Sequence, residues 1–229
     1  MSGRDEMNPT APQRISALIG AMMLVLALAS DRQAAALYTG LIQIPAARCL
    51  PPGAYELILE VDAGAGDNNT TAIIVDSQFG LTPRLDAGID FDLGLGADSV
   101  LVGNLKYLFA TDSKHTWGAT LGVYTLSTAL RSAEYVVASR YLGGCDVHLG
   151  LMHLNNGNQW FAGLNSSFLK RLTFMGDHVS GQGNYSSVGV QYNFNDRFNV
   201  LAGVLFPNTS GCDTQYTVQL TLAGPYSVD

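Results

Sequence analysis

Charged side chains are scarce in this chain. Asp, Glu, Lys and Arg make up 14% of its 229 residues, whereas a typical soluble domain carries about 25%. The net charge of −7 leaves no basic stripe to neutralise phosphates, which excludes nucleic acid as a partner. Because so few charges are present, the polar positions must be filled mainly by Gly, Ser, Thr, Asn and Gln.

Long apolar runs are also missing beyond the N-terminus. Residues 15–29 form an apolar stretch preceded by Arg4 and Arg14, and Ala34, Ala35 and Ala36 follow it. Such a stretch is short for a membrane-spanning helix and is typical of a secretory signal with a small-residue cleavage site. We therefore predict a signal peptide over residues 1–36, with an uncleaved N-terminal anchor helix as the alternative.

Cysteine is rare, and its spacing fits no zinc pattern. Cys49, Cys145 and Cys212 are far apart in sequence. In an oxidising periplasm one pair could form a disulfide, but the sequence does not select the pair. We predict no metal site and no cofactor.

A strict two-residue period is present instead. In residues 85–94 apolar side chains alternate with Asp or Gly, as in a β-strand whose two faces meet different environments. The rhythm returns through the rest of the chain and is least regular over 172–179. It predicts strands at 55–61, 71–81, 85–94, 100–110, 117–126, 135–142, 146–154, 160–168, 172–179, 185–194, 198–206 and 214–222.

An even number of strands, joined by both short turns and longer loops, is typical of outer-membrane barrels. We predict an all-β fold, an antiparallel up-and-down transmembrane β-barrel of about 12 strands over residues 55–229. Residues 37–54 would be a periplasmic lead-in. At this strand number the lumen would be narrower than that of a 16-to-18-stranded porin.

The direction of the faces separates two hypotheses. In a secreted lipocalin-like barrel that binds a small apolar ligand, the apolar face would turn inward. The low charge favours the membrane form, in which apolar residues such as Leu85, Ala87, Ile89, Phe91 and Leu93 face lipid. The predicted lumen-facing acidic residues are Glu56, Glu60, Asp76, Asp86, Asp90 and Asp92.

This acidic cluster has two interpretations. It could create a field that favours cations or bind a divalent cation. Alternatively, it could form ion pairs with lumen-facing Lys106 and Arg140, and with Arg131, because charges enclosed in a barrel need partners.

Evidence for catalysis is weak. Asp146 and His148 share one strand face, and Asp177 adjoins His178, so either pair could act as an acid–base couple. No nucleophile elbow, zinc helix or phosphate-binding Gly loop accompanies them. We predict a protein that is not an enzyme and keep an outer-membrane lipid hydrolase or acyltransferase as a minor alternative.

The segment after the signal carries a more specific pattern, formed by Gly40, Leu41, Ile42, Pro45, Ala47, Arg48 and Gly53. It resembles the start of Gram-negative outer-membrane barrels associated with exopolysaccharide production. The resemblance covers some fifteen residues. It implies a porin-like cell-envelope protein in the outer membrane that is an accessory or scaffold of polysaccharide export or envelope assembly. The implied partners are outer-membrane lipid, polysaccharide and envelope-assembly proteins, and a narrow channel is the other non-enzymatic role predicted.

Overall fold

The computed structural model describes residues 40–65, 71–93, 100–126, 132–154 and 157–224. These residues form twelve β-strands. Their bounds are β1 (Tyr55–Gly64), β2 (Thr71–Thr82), β3 (Leu85–Asp92), β4 (Val100–Thr111), β5 (Trp117–Leu126), β6 (Glu134–Tyr141), β7 (Cys145–Leu154), β8 (Gly157–Leu169), β9 (Leu172–Val179), β10 (Tyr185–Asn193), β11 (Phe198–Pro207) and β12 (Gln215–Ala223).

The strands close into a barrel. Each pairs antiparallel with its neighbours in the chain, and β12 returns to pair with β1, so that Leu57 lies opposite Leu222. Closure leaves no unpaired sheet edge, which a sheet in lipid requires because nothing there can satisfy free backbone groups. The prediction of an all-β, twelve-stranded antiparallel barrel is confirmed, and the irregular segment 172–179 is the strand β9. Among the described residues, no helix has the length and apolarity to cross a membrane.

Alternation along each strand separates an outer from an inner face. On β3, Ile89 and Phe91 are 49% and 46% exposed, whereas Asp86 is fully buried. The outer face is apolar around the barrel. It carries, among others, Leu57, Leu59, Phe79, Leu101, Phe109, Leu121, Leu149, Leu151, Trp160, Leu164, Phe174, Val188, Phe206, Tyr216 and Leu222. A soluble lipocalin-like barrel would need the opposite arrangement, so that alternative is wrong.

The two ends of the barrel differ in their connections. The start of β1 and the end of β12 lie at the end that carries the connections 83–84, 112–116, 142–144, 170–171 and 194–197. We call this the short-turn end. At the opposite end the strands are separated by residues 65–70, 93–99, 127–133, 155–156, 180–184 and 208–214, and most of these connections are longer. In outer-membrane barrels the short turns face the periplasm.

Candidate functional site

Residues 40–54, here called the inner segment, lie inside the barrel. Ile44 and Ala47 are each 2% exposed, and they pack against side chains that point inward from the strands. The lead-in over residues 37–54 was expected to lie in the periplasm. Its described part, residues 40–54, instead occupies the lumen, where its apolar side chains pack against apolar side chains that point inward from the strands. The predicted signal peptide lies outside the described residues.

The inner segment begins with a tight turn. A bridge joins Gly40 to Pro45, and the Leu41 amide donates to the Ile44 carbonyl over 2.8 Å. This turn projects the backbone amides of the two residues at its tip toward the barrel wall. We call residues 40–45 the tip.

A single carboxylate on β9 holds the tip. Asp177 Oδ2 accepts the amides of Ile42 and Gln43 at 3.0 Å each, and its Oδ1 accepts Gln43 Nε2 at 2.9 Å. Ser187 also donates to Asp177, and Gln219 Nε2 lies 3.5 Å from the Ile42 carbonyl. Charge-assisted hydrogen bonds are about twice as strong as neutral ones, so Asp177 is the principal polar anchor of the tip.

Apolar contacts also hold the tip against the barrel wall. Leu41 and Ile44 pack against one group of inward side chains, and Ile42 packs against another. The first group is Tyr135, Val137, Met152, Phe161 and Val179, and the second is Met175, Leu201 and Leu205. The lumen, expected to be polar from the alternation, is therefore apolar on this side.

A hydrogen-bonded chain on β6, β7 and β8 holds the middle of the inner segment. The Ala47 amide donates to Ser139 Oγ at 2.7 Å. Ser139 Oγ lies 2.7 Å from His148 Nδ1, and His148 Nε2 lies 3.2 Å from Asn165 Oδ1. Both ring nitrogens of His148 thus have partners, and residues of the inner segment cover the serine.

The predicted acid–base couples are not assembled. Asp146 pairs with Arg48 of the inner segment at 2.6 Å, not with His148. Asp177 and His178 point to opposite faces of β9, and His178 Nδ1 lies 2.8 Å from Ser186 Oγ.

The last anchor lies near the short-turn end. Both oxygens of Asp86 accept the Leu50 amide, at 3.0 and 3.1 Å, and Lys106 Nζ lies 3.5 Å from Asp86. Burial, together with the neighbouring Asp86 carboxylate, raises the pKa of the Cys49 thiol to about 11. Cys49, Cys145 and Cys212 are all free thiols.

Glycines allow the backbone of the inner segment to approach the wall. A Cβ on Gly118 would lie 2.5 Å from the Ala47 carbonyl oxygen, and a Cβ on Gly80 would clash with the carbonyls of Leu50 and Pro51. A side chain at either position would displace the segment.

The predicted acidic residues lie on the inward faces of β1, β2 and β3. Glu56, Glu60, Asp76 and Asp90 line a cavity of about 240 Å³ between these strands and the tip. Asn104 Nδ2 lies 3.0 and 2.8 Å from the Asp90 oxygens, and Thr217 Oγ1 donates to Glu60 over 3.3 Å. Asp92 is on the same face but does not line this cavity.

The two predicted basic partners differ. Lys106 points inward and pairs with Asp86. Arg140 points outward, on the face of β6 that also carries Val136 and Ala138. The prediction that Arg140 faces the lumen is therefore wrong. Apolar residues occupy both faces of β6, so the polarity of its side chains does not show which face points inward. Arg131 lies outside the described residues.

A closed antiparallel barrel with an apolar exterior and a charged interior is typical of outer-membrane β-barrels. Solved structures agree on the fold. Two structures of the KdgM porin each match with a TM-score of 0.55 and 12% identity. The match to KdgM alone covers 73% of this chain and 98% of that chain. The match to KdgM in complex with disordered oligogalacturonate covers 74% of this chain and 98% of that chain. OccK3 (OpdO) of Pseudomonas aeruginosa is matched over 72% of this chain and 60% of that chain at 13% identity, but its TM-score of 0.34 is too low to support the fold. No protein-family model and no curated protein matches the sequence. The fold is that of an outer-membrane porin barrel.

Proposed function

We propose that this chain is an outer-membrane protein that forms a narrow, non-enzymatic channel and rests in a closed state. The observation that carries the proposal is the inner segment, which is anchored by Asp177, Ser139 and Asp86 at three places along the lumen. Opening would require these anchors to release, since the segment occupies much of the space between the walls and leaves only a cavity of about 240 Å³ beside the tip.

The exterior supports the membrane location. Outward Leu, Phe and Val side chains would be stable in hydrocarbon and costly in water, at roughly 25 cal/mol per Å² of apolar area. Recovery of the protein only in the detergent-extracted envelope fraction, with heat-modifiable mobility on a gel, is the expected result. Recovery in the periplasm without detergent would contradict it.

Charge in the lumen supports selection of cations and neutral solutes. Among the residues of β1, β2, β3 and β4, Lys106 is the single Lys or Arg, and it pairs with Asp86. Acidic walls concentrate cations and repel anions. KdgM is solved with oligogalacturonate, a polyanion, and an equivalent cargo would meet repulsion here.

Planar bilayers test the channel. Wild-type protein should be almost silent, with rare small steps that favour K⁺ over Cl⁻. Replacing Asp76 and Asp90 with Asn should lower the cation preference, whereas Asp196→Asn, at the β10–β11 turn, should leave it unchanged. Anion preference, or equal effects of the two changes, would contradict the proposed selectivity.

A scaffold in polysaccharide export or envelope assembly is the second candidate. The same closed lumen favours it, and so does the resemblance of the inner segment to exopolysaccharide-associated barrels. The two candidates differ when the anchors are weakened. A channel should then conduct, whereas a scaffold should stay silent even with the tip released.

A further inference from the structure

Positive charge is concentrated at the short-turn end of the barrel. Each of the turns 83–84, 112–116, 170–171 and 194–197 carries a Lys or an Arg, and a further Arg lies beside the turn 142–144. These cations surround the barrel opening, because successive hairpins follow one another around the closed sheet. We call them the basic rim, which consists of Arg84, Lys114, Arg140, Lys170, Arg171 and Arg197.

The opposite end differs in charge. Its described residues contain no Lys or Arg, and they are 62–65, 71–73, 100–102, 124–126, 132–134, 152–154, 157–159, 180–184 and 208–214. Cations that served only to keep the protein soluble would have no reason to gather at one end. Their one-sided distribution therefore indicates a negatively charged partner at the short-turn end.

Carboxylates neutralise little of the charge of the basic rim. The two ion pairs found among the described residues involve none of its members. Within the short turns the acidic residues are Asp112 and Asp196. Asp112 is engaged by its own turn, where it accepts the Thr116 amide at 2.7 Å and the Thr116 hydroxyl at 2.6 Å. Much of the positive charge is thus available to a partner.

Arg140 shows which surface this partner contacts. It is exposed on the outward face of β6, between its cross-strand neighbours Trp117 of β5 and Val147 of β7. Both neighbours are exposed on the same face. An amphipathic indole beside an outward Arg is typical of headgroup depth, where the guanidinium extends into the polar layer while its stem stays in hydrocarbon. Arg140 therefore faces the surrounding leaflet.

A second Arg extends along the same outer surface. Arg171 Nη1 donates to the Tyr192 hydroxyl over 3.4 Å. Tyr192 lies on the outward face of β10, because its neighbours Gln191 and Asn193 are buried on the inward face. A protein docked over the lumen opening would meet the turns and would not need arginines on the outer wall. Their position favours lipid as the partner.

We propose that the basic rim binds anionic phospholipids of the leaflet around the short-turn end, with Arg140 and Arg171 contacting their phosphates. A guanidinium can donate two parallel hydrogen bonds to a phosphate. Each Lys or Arg near an anionic lipid surface favours that surface about fivefold. The inference rests on the proposed function for the membrane location and does not depend on the channel.

The two tryptophans of the chain make a local test possible. Trp117 lies beside Arg140, whereas Trp160 lies in β8 near the opposite end. The full chain with Trp160→Phe, reconstituted in phosphatidylcholine vesicles, has Trp117 as its fluorescent reporter. Phosphatidylglycerol brominated in its acyl chains should be preferred at Trp117 over brominated phosphatidylcholine by about fivefold, measured as quenching at equal lipid fractions. In the Trp117→Phe chain, Trp160 should show no preference.

Variants at the short-turn end identify the group responsible. Arg140→Gln should remove most of the preference at Trp117, whereas Arg140→Lys should keep it because the charge remains. Arg48→Gln is the matched control, since it removes an equal charge at the same end from a side chain of the inner segment that pairs with Asp146. It should leave the preference unchanged. Rising NaCl should weaken the preference, because salt screens exposed charges, and heat-modifiable mobility verifies that each variant is folded.

The outcomes separate this site from the proposed function. Equal quenching of Trp117 by the two lipids, an equal loss in Arg48→Gln, or the same preference at Trp160 would overturn the lipid site. A protein that does not enter the vesicles, so that neither lipid quenches Trp117, would overturn both the site and the membrane location. A protein that shows the preference and never conducts would keep the lipid site and remove the channel.

Discussion

Replacement of Asp177 by Asn should release the tip of the inner segment. Asp177 accepts two backbone amides and a side-chain amide of Ile42 and Gln43. An Asn has nearly the same shape, but one of its two terminal atoms is a donor and cannot accept these hydrogens. Asp146→Asn is the matched control, because it removes an equal charge from a carboxylate whose ion-pair partner among the described residues is the exposed Arg48.

The magnitudes distinguish the two variants. A hydrogen bond to a charged group contributes about 1.5–3 kcal/mol, and Asn at position 177 can keep only those made to one oxygen. The expected loss is roughly 2–4 kcal/mol, which increases the released population about 30- to 1,000-fold at 1.4 kcal/mol per factor of ten. An exposed pair such as Arg48–Asp146 contributes about 0–1 kcal/mol, so its loss changes that population about fivefold at most.

Alkylation of a cysteine in the tip measures this population. Ile44→Cys, in a protein whose three natural cysteines are serine, puts the thiol where Ile44 is 2% exposed. A maleimide should react with it far faster in Asp177→Asn than in Asp146→Asn, and bilayer conductance should rise in the same order. Equal labelling of both variants, in proteins with unchanged heat-modifiable mobility, would refute the assignment of Asp177 as the anchor.

Two further outcomes follow from the inner segment. Burial raises the pKa of Cys49 to about 11, so only about 0.1% of this thiol is thiolate at pH 8. Iodoacetamide should therefore modify the exposed Cys212 at least a hundredfold faster, which mass spectrometry of a time course checks. Comparable rates would mean that the inner segment leaves the lumen readily. Gly118→Ala should raise both the conductance and the labelling of Cys49, because the added Cβ overpacks against the inner segment at a cost of about 1–3 kcal/mol. Gly176→Ala should leave both unchanged, because its Cβ would meet no atom closer than 3.5 Å.

The barrel could be predicted because its signals are local. A two-residue period is visible within any eight residues, and low charge indicates which face meets lipid. The signal is weaker for β6, where Tyr135, Val136 and Val137 are apolar on both faces. Arg140 was misassigned there for that reason. Apolar residues on both faces of a strand indicate that the inward face packs against apolar side chains, as Tyr135 and Val137 do here.

The occupied lumen could not be predicted in the same way. Asp177 contacts Ile42 across 135 positions of the chain, and Asp86 contacts Leu50 across 36. No local period reports such pairings, because they depend on how the closed barrel positions strands that are distant in sequence.

The closed structure constrains the inner segment more tightly than it constrains the outward faces of the strands. Lipid has no fixed shape, so the outer face needs apolar side chains but not particular ones. The inner segment faces a wall of fixed shape, where Gly118 leaves room for a backbone carbonyl and Asp177 accepts two consecutive amides. Its residues are therefore constrained by packing and hydrogen bonding at almost every position.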